Sequence, residues 1–238
     1  MKFKIVSLFV LCAILISCGT SRQGGKKQRK GTKAQVVLTP EQQRKYDYFF
    51  LEASRLKMKD DYSAAFDLLQ HCLTINPNAS SALYEISQYY MYLKQVPQGQ
   101  AALEKAVEND PDNYWYSQGL ASLYQQQNEM QKATNLLESM ATRFSDRMDP
   151  LYSLLDIYNR LEEYDNVITT LNRLEEKMGK NEQLSMEKFR IYLQKKDNQS
   201  AFREIESLVE EYPMDMRYQV ILGDVYMQND KKDEAYNI

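Results

Sequence analysis

One residue type recurs at a fixed interval along most of this chain. Five tyrosines follow one another at intervals of 34 residues: Tyr90, Tyr124, Tyr158, Tyr192 and Tyr226. When Tyr46 is numbered position 1 of a 34-residue repeat, all five fall at position 11. Position 20 is mostly Ala or Gly, and position 24 is Leu or Ile. A fixed period of this length predicts an array of similar structural units that stack on one another.

Each unit is predicted to be a pair of helices. Positions 4, 7, 8 and 11 share one face of a first helix, and positions 20, 24 and 27 share one face of a second. Pro77, Pro111 and Pro213 fall at position 32, where a residue without an N–H ends the second helix. The fourth and fifth repeats depart from this pattern at Leu155, Val167, Phe189 and Gly179. We expect the same helix pairs there, with wider spacing or altered curvature.

The final repeat carries the motif that identifies the pattern. Leu222, Gly223, Tyr226 and Ala235 resemble the L-G-x2-Y…A part of the tetratricopeptide repeat, whose period is also 34. The resemblance covers residues 46–238, with repeats that start at 46, 80, 114, 148, 182 and 216. It implies an all-α fold, a right-handed superhelix of helix-turn-helix repeats. The last repeat is incomplete, so we expect the natural chain to continue past Ile238 and cover its stacking face.

Charge is distributed unevenly along the chain. The formal net charge of the 238 residues is −3, yet residues 19–45 hold eight Lys or Arg and one acidic residue. Residues 46–238 hold 20 basic and 32 acidic residues. The basic segment lacks apolar periodicity and is rich in Gly and Gln, which predicts a flexible linker. A basic tether on an acidic body does not indicate a nucleic-acid-binding surface.

A short apolar run precedes the linker. Lys2 and Lys4 are followed by apolar residues 5–16, a run too short to span a hydrocarbon core of about 30 Å. This arrangement predicts a signal peptide. The run ends in Leu15, Ile16, Ser17 and Cys18, which resembles the lipobox of bacterial lipoproteins. The resemblance implies cleavage before Cys18 and lipid attachment to its thiol; an ordinary cleaved signal or an uncleaved anchor remain the alternatives.

These features divide the chain into three predicted parts. Residues 1–17 form the signal peptide, residues 18–45 the lipidated cysteine with its basic linker, and residues 46–238 the repeat array. Two or more acyl chains hold a protein on a membrane durably. The lipoprotein resemblance implies the cell envelope, and the absence of Asp or an acidic run after Cys18 favours the outer membrane, facing the periplasm.

Residues suited to catalysis or metal binding are scarce and scattered. His71 is the only histidine, and Cys72 lies at position 27, where a small buried core residue is expected. The paired glutamates are adjacent in sequence, so on a helix they point about 100° apart instead of converging on a substrate. No phosphate-binding glycine loop or hydrolase motif is present. We therefore expect no enzyme activity, cofactor, metal, nucleic acid or small-molecule substrate.

The surface expected to bind a partner follows from the family resemblance. In tetratricopeptide proteins, positions 2, 5, 9, 12 and 13 of the first helices line a concave groove that binds peptide segments. In this sequence, the predicted groove residues are Tyr84, Gln88, Tyr92, Trp115, Gln118, Tyr152, Asn159 and Arg190. Aromatic side chains beside amides suit an extended peptide.

The sequence therefore favours a membrane-anchored, non-catalytic scaffold that mediates protein interactions in the bacterial cell envelope. Two alternatives remain open. The same array could serve a periplasmic chaperone or secretion accessory that handles transiting polypeptides. It could also be the N-terminal interaction region of a longer protein with an enzymatic C-terminal part.

The lipid anchor gives the first testable prediction. Cys18→Ala removes the thiol that would be acylated, so the variant should accumulate as unprocessed precursor. Metabolic labelling with a fatty acid should mark the wild-type protein and leave the variant unlabelled. An unlabelled wild-type protein would rule out the anchor.

Overall fold

The computed structural model describes residues 37–238. The predictions for the signal peptide, Cys18 and most of the basic linker lie outside the described residues. Within residues 37–238 the chain forms twelve α-helices and no strand, which confirms the all-α array. The first helices of the six repeats are α1 (Pro40–Lys57), α3 (Ser80–Tyr92), α5 (Tyr114–Gln126), α7 (Asp149–Arg160), α9 (Glu182–Gln194) and α11 (Met216–Gln228). The second helices are α2 (Tyr62–Ile75), α4 (Val96–Asn109), α6 (Met130–Arg143), α8 (Tyr164–Met178), α10 (Asn198–Glu211) and α12 (Lys232–Tyr236).

The first helix begins inside the segment predicted to be linker. Helix α1 starts at Pro40, six residues before the predicted boundary at residue 46. Thr39 is its N-cap: the Thr39 hydroxyl accepts a hydrogen bond from the Gln42 N–H at 3.2 Å, and the Gln42 side chain accepts one from the Thr39 N–H at 2.9 Å. This capping box and the proline at the first helical position begin the helix before the apolar periodicity starts.

The same turn joins the two helices of every repeat. Position 15 has a positive φ of 57° to 62° in all six repeats, at Asp60, Lys94, Asn128, Glu162, Lys196 and Asp230. The N–H of position 16 donates to the carbonyl of position 11, as from Glu129 to Tyr124 at 2.8 Å. The N–H of position 15 donates to the carbonyl of position 12, as from Asn128 to Gln125 at 3.0 Å. These two bonds form a Schellman motif, which usually has glycine at the left-handed residue.

Small residues bring the helices of a repeat close together. Ala65, Ala133 and Ala201 at position 20 are fully buried. At Gly99, an added Cβ would lie 2.7 Å from the Sδ atom of Met91 and 3.2 Å from the Ser87 carbonyl oxygen. Val167, the large exception, is also fully buried. Positions 24 and 27 are buried from the first repeat to the fifth, as the pattern predicts.

The end of the second helix does not depend on proline. Helix α6 ends at Arg143 although position 32 of its repeat is Ser145, and its length of 14 residues equals that of α2 and α4. Helix α8 has 15 residues and ends at Met178, and the following Gly179 is its C-cap, with a φ of 82°. The departures from the repeat pattern therefore shift a helix end without removing a helix.

The periodic tyrosines connect successive repeats. The Tyr124 hydroxyl donates to Glu104 Oε1 at 2.9 Å, and the Tyr158 hydroxyl donates to Glu138 Oε1 at 3.3 Å. The Tyr226 hydroxyl makes the equivalent bond to Glu206 at 3.4 Å. In each case the glutamate lies at position 25 of the preceding repeat. Burial, reinforced by this carboxylate, raises the pKa of all three tyrosines, so they remain protonated donors.

One buried charged residue interrupts the apolar stripe. Position 7 is buried Ile86, Leu120, Leu154 and Leu222 in four repeats and half-buried Glu52 in the first, but it is buried Lys188 in the fifth. The Lys188 ammonium lies 2.8 Å from Glu175 Oε2 and 2.9 Å from Glu204 Oε1. The Lys188 side chain is only 4% exposed. Burial opposes both charges, but ion pairing outweighs it and leaves the pKa of Lys188 raised and that of Glu175 lowered.

The turn predicts a stabilising substitution. Lys94 and Glu162 occupy the left-handed region, where a non-glycine residue costs about 1–2 kcal/mol. Lys94→Gly and Glu162→Gly should therefore each raise the free energy of unfolding by about 1 kcal/mol after the greater chain entropy of glycine is counted. Ala101→Gly, at an exposed mid-helix position of α4, should lower it by about 1 kcal/mol. Thermal unfolding followed by circular dichroism tests this; equal losses in all three variants would contradict it.

The buried ion pairs of Lys188 lead to a second prediction about the free energy of unfolding. Lys188→Met leaves Glu175 and Glu204 without their closest cation, so near neutral pH it should cost about 3 kcal/mol of unfolding free energy. Adding Glu175→Gln and Glu204→Gln removes the unpaired charges and should recover most of the lost free energy.

Since the pKa of Glu175 is lowered, the ion-pair contribution to stability is present above pH 4.5 and is lost as pH falls further. The difference between wild type and Lys188→Met, measured by denaturant unfolding, should shrink in acid. A Lys188→Met variant as stable as wild type near neutral pH would contradict the prediction.

Candidate partner-binding groove

The candidate site is the face of the first helices opposite their packing face. Positions 3, 4, 7, 8 and 10 of most first helices are buried, and position 11 is buried or half-buried. At about 100° per residue, positions 2, 5, 9, 12 and 13 project from the other side of the helix. We call these positions the groove stripe.

The structure separates the predicted groove residues into two groups. Tyr92 is 84% exposed, Trp115 63% and Tyr152 47%, and the Gln88 and Arg190 side chains are also exposed. Three members are only half-exposed: Tyr84, Gln118 and Asn159. The stripe therefore carries uncovered aromatic rings in the second, third and fourth repeats.

Tyr84 mainly packs between repeats. Its ring centroid lies 4.8 Å from that of Tyr116, which is at position 3 of the next first helix. Tyr84 also packs against two of the buried apolar clusters, one in the first two repeats and one that extends from the second repeat to the fifth. Truncating Tyr84 would therefore remove core contacts as well as groove surface.

Trp115 belongs to a cation–aromatic cluster. The Arg147 guanidinium lies 4.0 Å from the Tyr114 ring centroid and 5.6 Å from that of Trp115. Arg147 Nη1 is 3.6 Å from Asp149 Oδ2, and the Tyr114 hydroxyl donates to the same oxygen at 3.3 Å. Arg147 lies between repeats, outside the helical stripes, so the repeat pattern could not assign it to the groove.

The remaining predicted residues have local partners. The Tyr152 hydroxyl donates to Met178 Sδ at 3.4 Å, and the Gln88 amide donates to the Ser87 hydroxyl at 3.2 Å. Arg190 forms an ion pair with Glu187 one turn earlier on α9. Both charges are on the surface, where such a pair contributes little to stability. Arg190 can therefore turn toward an anionic partner at small cost.

The candidates for reactive chemistry are placed as structural residues. Cys72 is fully buried, and burial raises its pKa to about 11, so the thiol stays neutral. This confirms its prediction as a core residue. His71 is exposed, with its ring centroid 5.7 Å from that of Phe49. Across residues 37–238, His, Cys, Asp and Glu side chains form no group of three that could hold a metal ion.

The described helices also bear on membrane contact. In residues 37–238, no helix combines the length and apolar character needed to span a bilayer.

Comparisons with known proteins support the repeat assignment. Residues 80–113 match the family model described as a tetratricopeptide repeat. Among curated proteins, none matches this chain significantly. The solved tetratricopeptide repeat protein from Parabacteroides merdae ATCC 43184 is 17% identical, with a TM-score of 0.53 over 82% of this chain and 77% of that one.

Two further solved structures share the fold. MamA AMB-1 is 17% identical, with a TM-score of 0.51 over 71% of this chain and 92% of that one. A chain in the structure of Naa15/Naa10 bound to HypK-THB is 16% identical, with a TM-score of 0.58 over 82% of this chain and 31% of that one. At these identities the similarity establishes the fold alone. The chain thus matches a tetratricopeptide repeat over residues 80–113 and folds as a helical array of that type.

Proposed function

We propose that the protein is a membrane-anchored, non-catalytic scaffold that holds a protein partner on its groove stripe in the bacterial cell envelope. The observation that carries the proposal is the uncovered aromatic surface of Tyr92, Trp115 and Tyr152. Large aromatic side chains are costly to leave in water and dominate the binding energy of protein interfaces. The complex of Naa15/Naa10 with HypK-THB is consistent with partner binding by this type of helical array.

The location of the scaffold is the second part of the proposal. The apolar run, the lipobox-like sequence ending at Cys18 and the basic linker support attachment to the outer membrane, with the array in the periplasm. The array would then be held close to the membrane and still be free to meet a partner.

One observation favours the alternative of a chaperone or secretion accessory. Several methionines are exposed: Met58, Met178, Met214, Met216 and Met227. Flexible, polarisable methionine side chains adapt to varied apolar ligands and are common on promiscuous binding surfaces. A single stoichiometric partner crosslinked in the native membrane favours the scaffold, whereas many unfolded clients favour the chaperone.

The groove stripe predicts a separation of binding from stability. Replacing Tyr92, Trp115 and Tyr152 together with Ala should reduce affinity for the crosslinked partner by about thirty-fold or more. Because these rings are largely exposed, the helical circular dichroism signal should be almost unchanged. Affinity is measured by titrating the purified partner against the full-length protein.

Tyr124→Ala and Tyr158→Ala provide the matched control. Both tyrosines are buried and bonded to the preceding repeat, so their loss should lower Tm while each folded molecule binds the partner as wild type does. Wild-type affinity in the triple variant would show that the partner binds elsewhere, on the outer helices or the basic linker.

A further inference from the structure

A cavity lies between the first two repeats, at the end where their helices turn. It has a volume of about 450 Å³ and is lined by Lys57, Tyr62, Gln88, Tyr89 and Tyr92. Lys57, Gln88 and Tyr92 belong to the groove stripe, whereas Tyr62 comes from the start of the second helix of the first repeat. We call this the tyrosine cavity.

The walls of the tyrosine cavity are held by the surrounding structure. The Tyr62 hydroxyl donates to Asp60 Oδ1 at 2.7 Å, so the left-handed turn residue fixes this ring. The Tyr62 and Tyr89 ring centroids are 6.5 Å apart, and the Tyr89 centroid is 5.8 Å from that of Phe66. Lys57 Nζ lies 2.7 Å from Glu85 Oε2, which positions the ammonium at the rim. The ammonium has three donors, so it can bind a second acceptor.

The Tyr89 hydroxyl is an unsatisfied donor. Tyr89 is 8% exposed, and its buried hydroxyl has no hydrogen-bond partner. Burial raises the pKa of Tyr89, and the charges of Lys57 and Glu85 both act on it, so the ion pair is near the hydroxyl. A buried polar group without a partner typically costs about 1–3 kcal/mol. An acceptor oxygen supplied by a ligand would remove that cost.

We propose that the tyrosine cavity is the anchor pocket of the groove. It takes an aromatic or branched apolar side chain of an extended peptide, whose backbone carbonyl oxygen accepts from the Tyr89 hydroxyl and the Lys57 ammonium. The inference rests on the proposed function, because it names the partner chemistry of the same groove. It adds Tyr62 and Tyr89 to the groove-stripe positions that the repeat pattern assigned.

The shape of the cavity favours a peptide over a free small molecule. Small-molecule sites commonly bury 70–90% of their ligand within about 300–1,000 Å³. Here Tyr92 is 84% exposed and Tyr62 is 50% exposed, so two of the walls stand largely in solvent. One side chain of a longer ligand fills such a cleft, and the rest of the peptide gains contacts along the groove stripe. The exposed Gln88 amide offers both a donor and an acceptor to the peptide backbone.

The decisive variant is Tyr89→Phe, which removes only the unsatisfied hydroxyl. Short random peptides displayed on phage are selected against the full-length protein in detergent, and the enriched peptides are resynthesised as probes. Tyr89→Phe should bind these probes about five-fold more weakly, while its Tm stays equal to or above that of wild type. Tyr124→Phe is the matched control: it loses the bond to Glu104, so its Tm should fall while probe affinity stays unchanged.

Two further measurements fix the identity of the ligand. The enriched peptides should share an aromatic or branched apolar residue, and replacing that residue with Ala should abolish binding to the wild-type protein. Tyr62→Ala should weaken binding about thirty-fold. Unchanged probe affinity in Tyr89→Phe, or enrichment without an apolar anchor, would overturn the proposal. Dimerisation that is lost in Tyr62→Ala would also overturn it, by assigning the cavity to a second copy of this chain.

Failure of the cavity and failure of the groove are distinguishable. Probes that bind Tyr62→Ala and Tyr89→Phe normally, but fail to bind the Trp115→Ala and Tyr152→Ala variant, would preserve the groove and refute the cavity. Probes that are insensitive to all four substitutions would count against both. An absence of any enriched peptide would refute the anchor pocket, and the native crosslinked partner would still test the groove.

Discussion

The close approach of the two helices within each repeat is the contact on which the rest of the array depends. Ala65, Ala133 and Ala201 are fully buried at position 20, and Gly99 sits against Met91 and the Ser87 carbonyl. A helix pair packed this closely buries the residues at positions 24 and 27 and turns the other apolar positions toward the next pair. No pair completes its own core, so apolar burial must continue from repeat to repeat. The groove stripe remains exposed because helix geometry places it opposite these contacts.

The turn and the tyrosine bonds make this contact repeatable. The positive φ at position 15 fixes the direction in which the second helix leaves the first. Position 11 then serves both connections: its carbonyl closes the turn, and in three repeats its hydroxyl bonds Glu104, Glu138 or Glu206 in the preceding repeat. The bond requires a carboxylate at position 25, where the first and fourth repeats have Gln70 and Asn172. Hydrogen bonds as well as apolar contacts therefore recur with the period of 34 residues.

The sequence predicts those features that repeat and misses those that occur once. Period, helix pairing and the burial of Cys72 follow from spacing, because each depends on residues that recur at the same position. Lys188 could not be placed in the core, since its partners Glu175 and Glu204 lie on two other helices and come together only in the fold. The left-handed turns were missed because Lys94 and Glu162 lack the usual glycine signal. The predicted start of helix α1 was too late, because a capping box and not the apolar periodicity begins this helix.

The candidate site also combines features that recur in the repeats with features that occur once. Spacing assigned Tyr92, Trp115 and Tyr152 to the groove stripe, where they are exposed, yet it could not show that Tyr84 packs on Tyr116. Nor could it find Arg147 or Tyr62, which come from outside the first helices. A repeat array can vary such residues freely, because the packing positions alone maintain the fold. The partner specificity that we propose therefore depends on residues that differ between repeats: the Trp115 ring with the Arg147 cation, and the unsatisfied hydroxyl of Tyr89.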